Sequence, residues 1–232
     1  MASSVPDSDL DYNNSLKAKG RSFLETFLAV DRFLFRPLAW LIVRAVIKTP
    51  ISPNQLTVSS FCLGMTAAVL FATGKPRDFT VAGIFVILSG VVDCADGMLA
   101  RAKNMASEYG GFLDISLDRI VDFFLIAGMA LGFYVHTGQK LILPLGIFAA
   151  GLMALQNTLW YLGKAYRKDM RKGELGELRS GMFLLFLLGA LFRRLDLVIF
   201  VVLAESGIYV LLRPAQLFRL RKTAPVVLDR KN

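Results

Sequence analysis

The chain has 232 residues, 55% of them apolar, with a mean hydropathy of +0.53 and a net charge of +9. Its apolar residues lie in blocks of about 17–25, the length that spans a ~30 Å hydrocarbon core, which excludes an ordinary soluble domain. The basic residues flank those blocks with no groove-reading or base-stacking motif, so the charge implies anionic lipid headgroups and no nucleic acid.

Residues 1–20 are expected to be a disordered, polar and acidic leader; no basic stretch precedes an apolar run, so no cleaved signal peptide is expected. Over residues 21–50, Phe23, Leu24, Phe27, Leu28, Leu34, Phe35, Leu38 and Leu41 recur at helical spacing, with Arg21, Arg32, Arg36 and Arg44 between them. That pattern predicts an amphipathic helix in the membrane interface, bent near Pro37. Residues 51–215 then read as six spans: 54–72, 79–99, 112–135, 141–163, a short one at 181–192, and a last one ending near Leu212. A charged loop separates the fourth and fifth, and residues 216–232 form a basic tail. The expected fold is all-α, a polytopic bundle of six transmembrane helices preceded by an interfacial helix. Cys62 and Cys94 both fall in apolar blocks and read as small fillers, not as a disulfide framework.

Six spans place both termini on one side. That side carries 21 Lys and Arg residues against five on the other, so the positive-inside rule makes it cytoplasmic. The same side holds an acidic cluster. Asp93 and Asp96 are three residues apart near the end of the second span, and Asp114 and Asp118 are four apart near the start of the third. Those spacings put each pair on one helix face. The short connection predicts antiparallel neighbours whose four carboxylates converge. Charges 4 Å apart repel by about 4 kcal/mol at an effective dielectric of 20, so protons or cations must enter. Hard oxygen ligands suit Mg²⁺, Mn²⁺ or Ca²⁺, and two ions sharing carboxylates could clamp a diphosphate. Solvated helix-end charges are the plain alternative.

The residues between the acids read D-x2-D-G-x2-A-R-x8-G-x3-D-x3-D, formed by Asp93, Asp96, Gly97, Ala100, Arg101, Gly110, Asp114 and Asp118. This resembles the signature of the CDP-alcohol phosphotransferase family at all eight positions, and the likeness extends over about residues 50–215. It implies that Asp93, Asp96 and Asp114 hold one metal ion, Mg²⁺ or Mn²⁺, and that Asp93, Asp114 and Asp118 hold a second. Asp118 would also be the general base toward the acceptor hydroxyl. Gly97 and Ala100 would let cytidine approach the helix backbone, and Arg101 would pair with the donor phosphates. The family's hydroxyl near the nucleotide corresponds to Ser107. Its Asn-x-x-Thr pattern corresponds to Asn54 and Thr57. For Gly97 and Gly110, close helix packing is the structural alternative.

The resemblance and the six-span size imply CDP-diacylglycerol as donor, a small alcohol as acceptor, CMP as leaving group and a homodimer. Cations in the fourth loop, Arg171 and Arg179 among them, would suit a phosphorylated acceptor; ordinary loop charge is the alternative. Asp122 reads as a partner that orients Arg119 or a metal ligand. Glu205 is an acid inside a span, a functional candidate or the partner of an arginine. Gln156 and Asn157 suggest interhelical hydrogen bonds, and Gly128, Gly132, Gly146 and Gly151 suggest helix contacts or a dimer seam. His136, the only histidine, lies on the opposite side and is no candidate base. Three other readings compete: a CDP-choline or CDP-ethanolamine transferase acting on diacylglycerol, an intramembrane prenyltransferase, and a divalent-cation carrier. The compact motif with Gly97, Ala100 and Arg101 disfavours the prenyltransferase, and the placement of the acids at one end of the spans disfavours the carrier.

Overall fold

The computed structural model describes residues 30–166 and 176–223, with only the backbone of 161–166, 176–180 and 213–223. The expected N-terminal segment, most of the basic tail, Arg171 and the side chain of Arg179 therefore lie outside the described residues. All described elements are helical. A π-helical turn, Asp31–Phe35, runs into α1 (Arg36–Val46), followed by α2 (Pro53–Ala72), α3 (Pro76–Ala102), α4 (Glu108–Thr137), α5 (Ile142–Tyr166), α6 (Gly176–Leu191) and α7 (Leu195–Thr223).

The π-turn is the form taken by the bend expected at Pro37. Proline lacks an N–H, and its ring would clash with the carbonyl four residues back. Widening the preceding turn, so that the Arg36 N–H bonds to the Asp31 carbonyl, accommodates it. From the π-turn through α1, Phe35, Ala39 and Val43 are buried, with α1 packed on α3, while Leu38, Trp40 and Leu41 face outward, the pattern expected of an interfacial helix.

Five helices are long and apolar enough to cross a membrane: Pro53–Ala72, Pro76–Ala102, Glu108–Thr137, Ile142–Trp160 and Leu195–Leu212. The expected fifth span is shorter. Gly181–Leu191 is apolar, and α6 gains its first turn from the preceding charged loop, giving 16 residues or about 24 Å. Between 28% and 50% of the five spans' most apolar windows is buried, so the remaining apolar surface needs lipid to cover it. This is an integral membrane protein.

The first half of the bundle is organised by α2, which packs along both α3 and α4. The expectation that α3 and α4 are direct neighbours is corrected here: they form no extensive contact of their own, and α2 stands between them. The reason lies in small and polar residues on α2's two sides. Toward α4, Gly128 and Gly132 lie against the backbone carbonyls of Ala68 and Phe71, and Gly64 lies against Val121. Toward α3, Ser60 and Ser89 exchange hydrogen bonds of 2.9–3.2 Å through their hydroxyls and backbone carbonyls. Such contacts hold helices together where burial from water cannot. In the second half, α5 packs on α4 and α7, and α6 packs on α3. Gly90 of α3 leaves room for the rings of Phe35 and Phe183, 6.3 Å apart.

Candidate active site

Four chain segments meet at one end of this frame. α3 ends in a turn where Asn104 adopts a left-handed conformation (φ 54°) and the Met105 N–H bonds back to the Ala100 carbonyl. An asparagine tolerates that conformation well. Three residues later Ser107 caps α4, its hydroxyl accepting the Gly110 N–H at 3.0 Å. Beside this return, the Lys103 ammonium donates to the carbonyls of Thr49 and Ile51 at 2.7 and 2.8 Å, tying the α1–α2 connection to the end of α3. α2 begins there with a reciprocal cap between Ser52 and Gln55 and with Pro53 in its first turn.

The acids lie inside this frame rather than at its tips. Asp93 is nine residues before the end of α3, and Asp118 is ten residues after the start of α4, each about 14 Å along its helix. Across the gap that α2 spans, one carboxylate oxygen from each of Asp93, Asp114 and Asp118 lies within 4.8 Å of the others, all three residues being partly buried. Asp96 stands outside that trio. It is buried, and Thr57 of α2 donates to its Oδ2 at 2.5 Å. Three of the four expected carboxylates thus form the trio, and Asp96, held by α2, stays close enough to Asp114 and Asp118 to interact with their charge.

The trio fits a divalent cation on chemical grounds. Three partly buried carboxylates at such separations repel strongly, and their oxygens are the hard ligands that magnesium and manganese take.

The other motif residues lie on the same two helices and the turn between them. Gly97 is half-buried, and the Arg101 guanidinium folds back over it one turn later, 3.5 Å from where a Cβ would stand. Gly110 is hemmed in by the Asn54 carboxamide and the Ser107 hydroxyl, each 3.2 Å from a Cβ placed there. Asn54 and Thr57, one turn apart at the start of α2, therefore face the motif's two helices separately: Asn54 toward α4, Thr57 toward α3. Ser107 has a structural task as a helix cap, in addition to the nucleotide contact that the resemblance implies. Arg119 lies beside the trio, with Nη2 3.9 Å from Asp118 Oδ2 and Nη1 3.1 Å from Asp122 Oδ2.

Two residues near the site were not singled out in the sequence. Lys103 was legible only as loop charge. Asp31 is buried, forms a 2.7 Å ion pair with Arg36, and lies 3.8 Å from the Cys94 sulfur, beside Asp93 in sequence. Its polarity amid apolar neighbours was the available signal. Glu205 lies on α7, where its carboxylate accepts from the Gln156 amide of α5 at 2.7 Å. Its partner on α5 is thus an amide, not an arginine.

Together these features define an all-helical integral membrane protein whose bundle encloses a carboxylate trio able to take a divalent cation. The profile of the CDP-alcohol phosphatidyltransferase family matches residues 50–211, and the chain belongs to that family. It is 36% identical to a "Bifunctional IPC transferase and DIPP synthase" of Rubrobacter xylanophilus, over 58% of this chain and 28% of that one. It is 35% identical to an archaetidylinositol phosphate synthase of Pyrococcus horikoshii, over 42% of this chain and 50% of that one. These matches span half or less of those relatives' length. The inner membrane protein YnjF of Escherichia coli is 32% identical over 70% of this chain and 82% of its own. In fold, the chain resembles the crystal structure of Mycobacterium tuberculosis phosphatidylinositol phosphate synthase with CDP-DAG bound. The TM-score is 0.66 at 19% identity, covering 85% of this chain and 99% of that one.

Proposed function

We propose that this protein transfers the phosphatidyl group of CDP-diacylglycerol to a small alcohol, releasing CMP. The observation that carries the reading is the trio Asp93, Asp114 and Asp118, placed by two helices within reach of one cation. Support comes from family membership and from the M. tuberculosis relatives of the same fold, one described in complex with manganese and another with CDP-DAG.

Asp93, Asp114 and Asp118 would hold a divalent cation, Mg²⁺ or Mn²⁺; Asp96, oriented by Thr57, would complete the set for a second ion. Such cations supply charge neutralisation for the donor diphosphate and for the departing CMP. The protein's own residues do the remaining work. Gly97 and Ala100 leave room for the cytidine against α3, and Arg101 offers a planar fork to the diphosphate. Asn54, Thr57, Ser107 and Gly110 line the other wall. Asp118 takes the acceptor hydroxyl proton as the alcohol oxygen attacks the phosphorus and the bond to CMP breaks.

For the acceptor, we propose a phosphorylated polyol, with inositol phosphate the first to try. Two relatives carry inositol phosphate products in their names, and the sequence from Lys164 to Arg179, which includes Arg171, is basic. Cytoplasmic termini and a cytoplasmic site follow from the Lys and Arg bias. A homodimer completes the proposal.

The test is purified protein in detergent with CDP-diacylglycerol, Mg²⁺ or Mn²⁺, and a panel of free and phosphorylated alcohols, with products read by mass. Metal-dependent CMP release is expected, abolished by Asp118→Asn. Metal flux into liposomes without nucleotide would favour a carrier, and diphosphate release from a prenyl donor would favour a prenyltransferase.

A further inference from the structure

Behind the trio lies a second layer of charge with no part in the chemistry above. Asp122 follows Asp118 by one turn on α4, and only 4% of its side chain is exposed. A carboxylate buried in an apolar bundle needs a cation against it. Arg119 supplies one, with Nη1 3.1 Å from Asp122 Oδ2. The other arm of the same guanidinium, Nη2, lies 3.9 Å from Asp118 Oδ2. One planar group therefore links a carboxylate of the trio to a carboxylate outside it.

We propose that Asp122 and Arg119 are positioning residues for Asp118. Asp122 anchors the guanidinium, and the anchored guanidinium restrains the Asp118 carboxylate and offsets part of its charge. The order of dependence is specific: Asp122 acts through Arg119, and Arg119 acts through Asp118. Removing Arg119 has two opposite effects. The trio becomes more negative and attracts a cation more strongly, while Asp118 loses the orientation that proton removal needs. A general loss of structure would weaken both.

The kinetic part of the test rests on the transferase reading; the metal-binding part does not. The variants are Arg119→Gln, Asp122→Asn and the double variant, made in the full chain and purified in detergent. The double variant removes both charges at once, so it leaves no buried charge unpaired if Arg119→Gln alone fails to fold. Groups that hold a metal ligand in place change activity by about 10–100-fold when removed, and a kcat loss of that size is expected, with the KM for CDP-diacylglycerol within about twofold. The double variant should be no slower than Arg119→Gln, because residues acting in series do not add. Mn²⁺ titration followed by electron paramagnetic resonance should show binding about threefold tighter or more in Arg119→Gln than in the unaltered protein, the sign expected for loss of a nearby cation, and a smaller change in the double variant, which loses the Asp122 anion as well. The proposal is overturned by a double variant with unchanged kcat, by additive losses, or by Mn²⁺ binding that is unchanged or weaker in Arg119→Gln. If the unaltered protein never releases CMP, the transferase reading fails and the Mn²⁺ titration still decides this one.

Discussion

Thr57 and Asp96, 39 residues apart in sequence, are joined by a buried 2.5 Å hydrogen bond that fastens the first turns of α2 to the acidic stretch of α3. Thr57→Val keeps the shape and removes the donor. A hydrogen bond to a charged group contributes about 1.5–3 kcal/mol, so the variant should melt lower in detergent, and metal-dependent CMP release should fall about 10–100-fold. Thr57→Ser, which keeps the hydroxyl, should recover most of both. Equal activity in Thr57→Val and the unaltered protein would mean that Asp96 needs no orientation from α2.

The trio predicts an inverted stability pattern. Its carboxylates lie within 4.8 Å of one another, and like charges at that range repel by a few kcal/mol at an effective dielectric of 20. Asp93→Asn should therefore raise the melting temperature in chelator while abolishing CMP release. The unaltered protein should in turn gain stability from Mn²⁺, by about 2.7 kcal/mol at a hundredfold excess over Kd, and Asp93→Asn should gain little. Thermal unfolding with and without Mn²⁺ measures both. A lower melting temperature for Asp93→Asn in chelator would contradict the repulsion argument.

Close approach of α2 and α4 can be tested with single methyl groups. A Cβ at Gly132 would overlap the Phe71 carbonyl oxygen, whereas one at Gly151 meets nothing within 4 Å. Gly132→Ala should destabilise by about 1–3 kcal/mol, the usual range for overpacking, and should reduce activity because α2 would shift away from the site. Gly151→Ala should do neither in the monomer. Reduced dimer formation by Gly151→Ala, read by light scattering, would place the proposed dimer seam on that face of α5.

Glu205 and Gln156 form a polar link between α5 and α7, 2.7 Å long and within the membrane-spanning region. Gln156→Leu should cost about 1–3 kcal/mol, because it removes the shorter of two hydrogen bonds to the Glu205 carboxylate, the other coming from the Ser206 hydroxyl at 3.4 Å. Glu205→Gln should be tolerated, since an amide can still accept from Gln156. Melting temperatures of the two single variants and the double variant give the coupling energy directly. Coupling near zero would leave Glu205 free for another duty.

Read alone, the sequence determined the membrane setting, the helical class, the amphipathic character of α1 and the acidic motif with its glycine, alanine and arginine. The physical reason is that these are local or periodic properties. A bilayer demands apolar runs of one length, and a helix face repeats every three or four residues. Tertiary structure alone decided which groups meet. It placed α2 between α3 and α4, because Gly128 and Gly132 admit one flank of α2 and Ser60 bonds to Ser89 on the other. It gave Asp96 to Thr57 while bringing Asp93, Asp114 and Asp118 together, and it set the trio well inside the bundle. It made Ser107 a helix cap and Lys103 a clamp. Those outcomes depend on distances between helices far apart in the chain, and residue spacing along one helix carries no information about them.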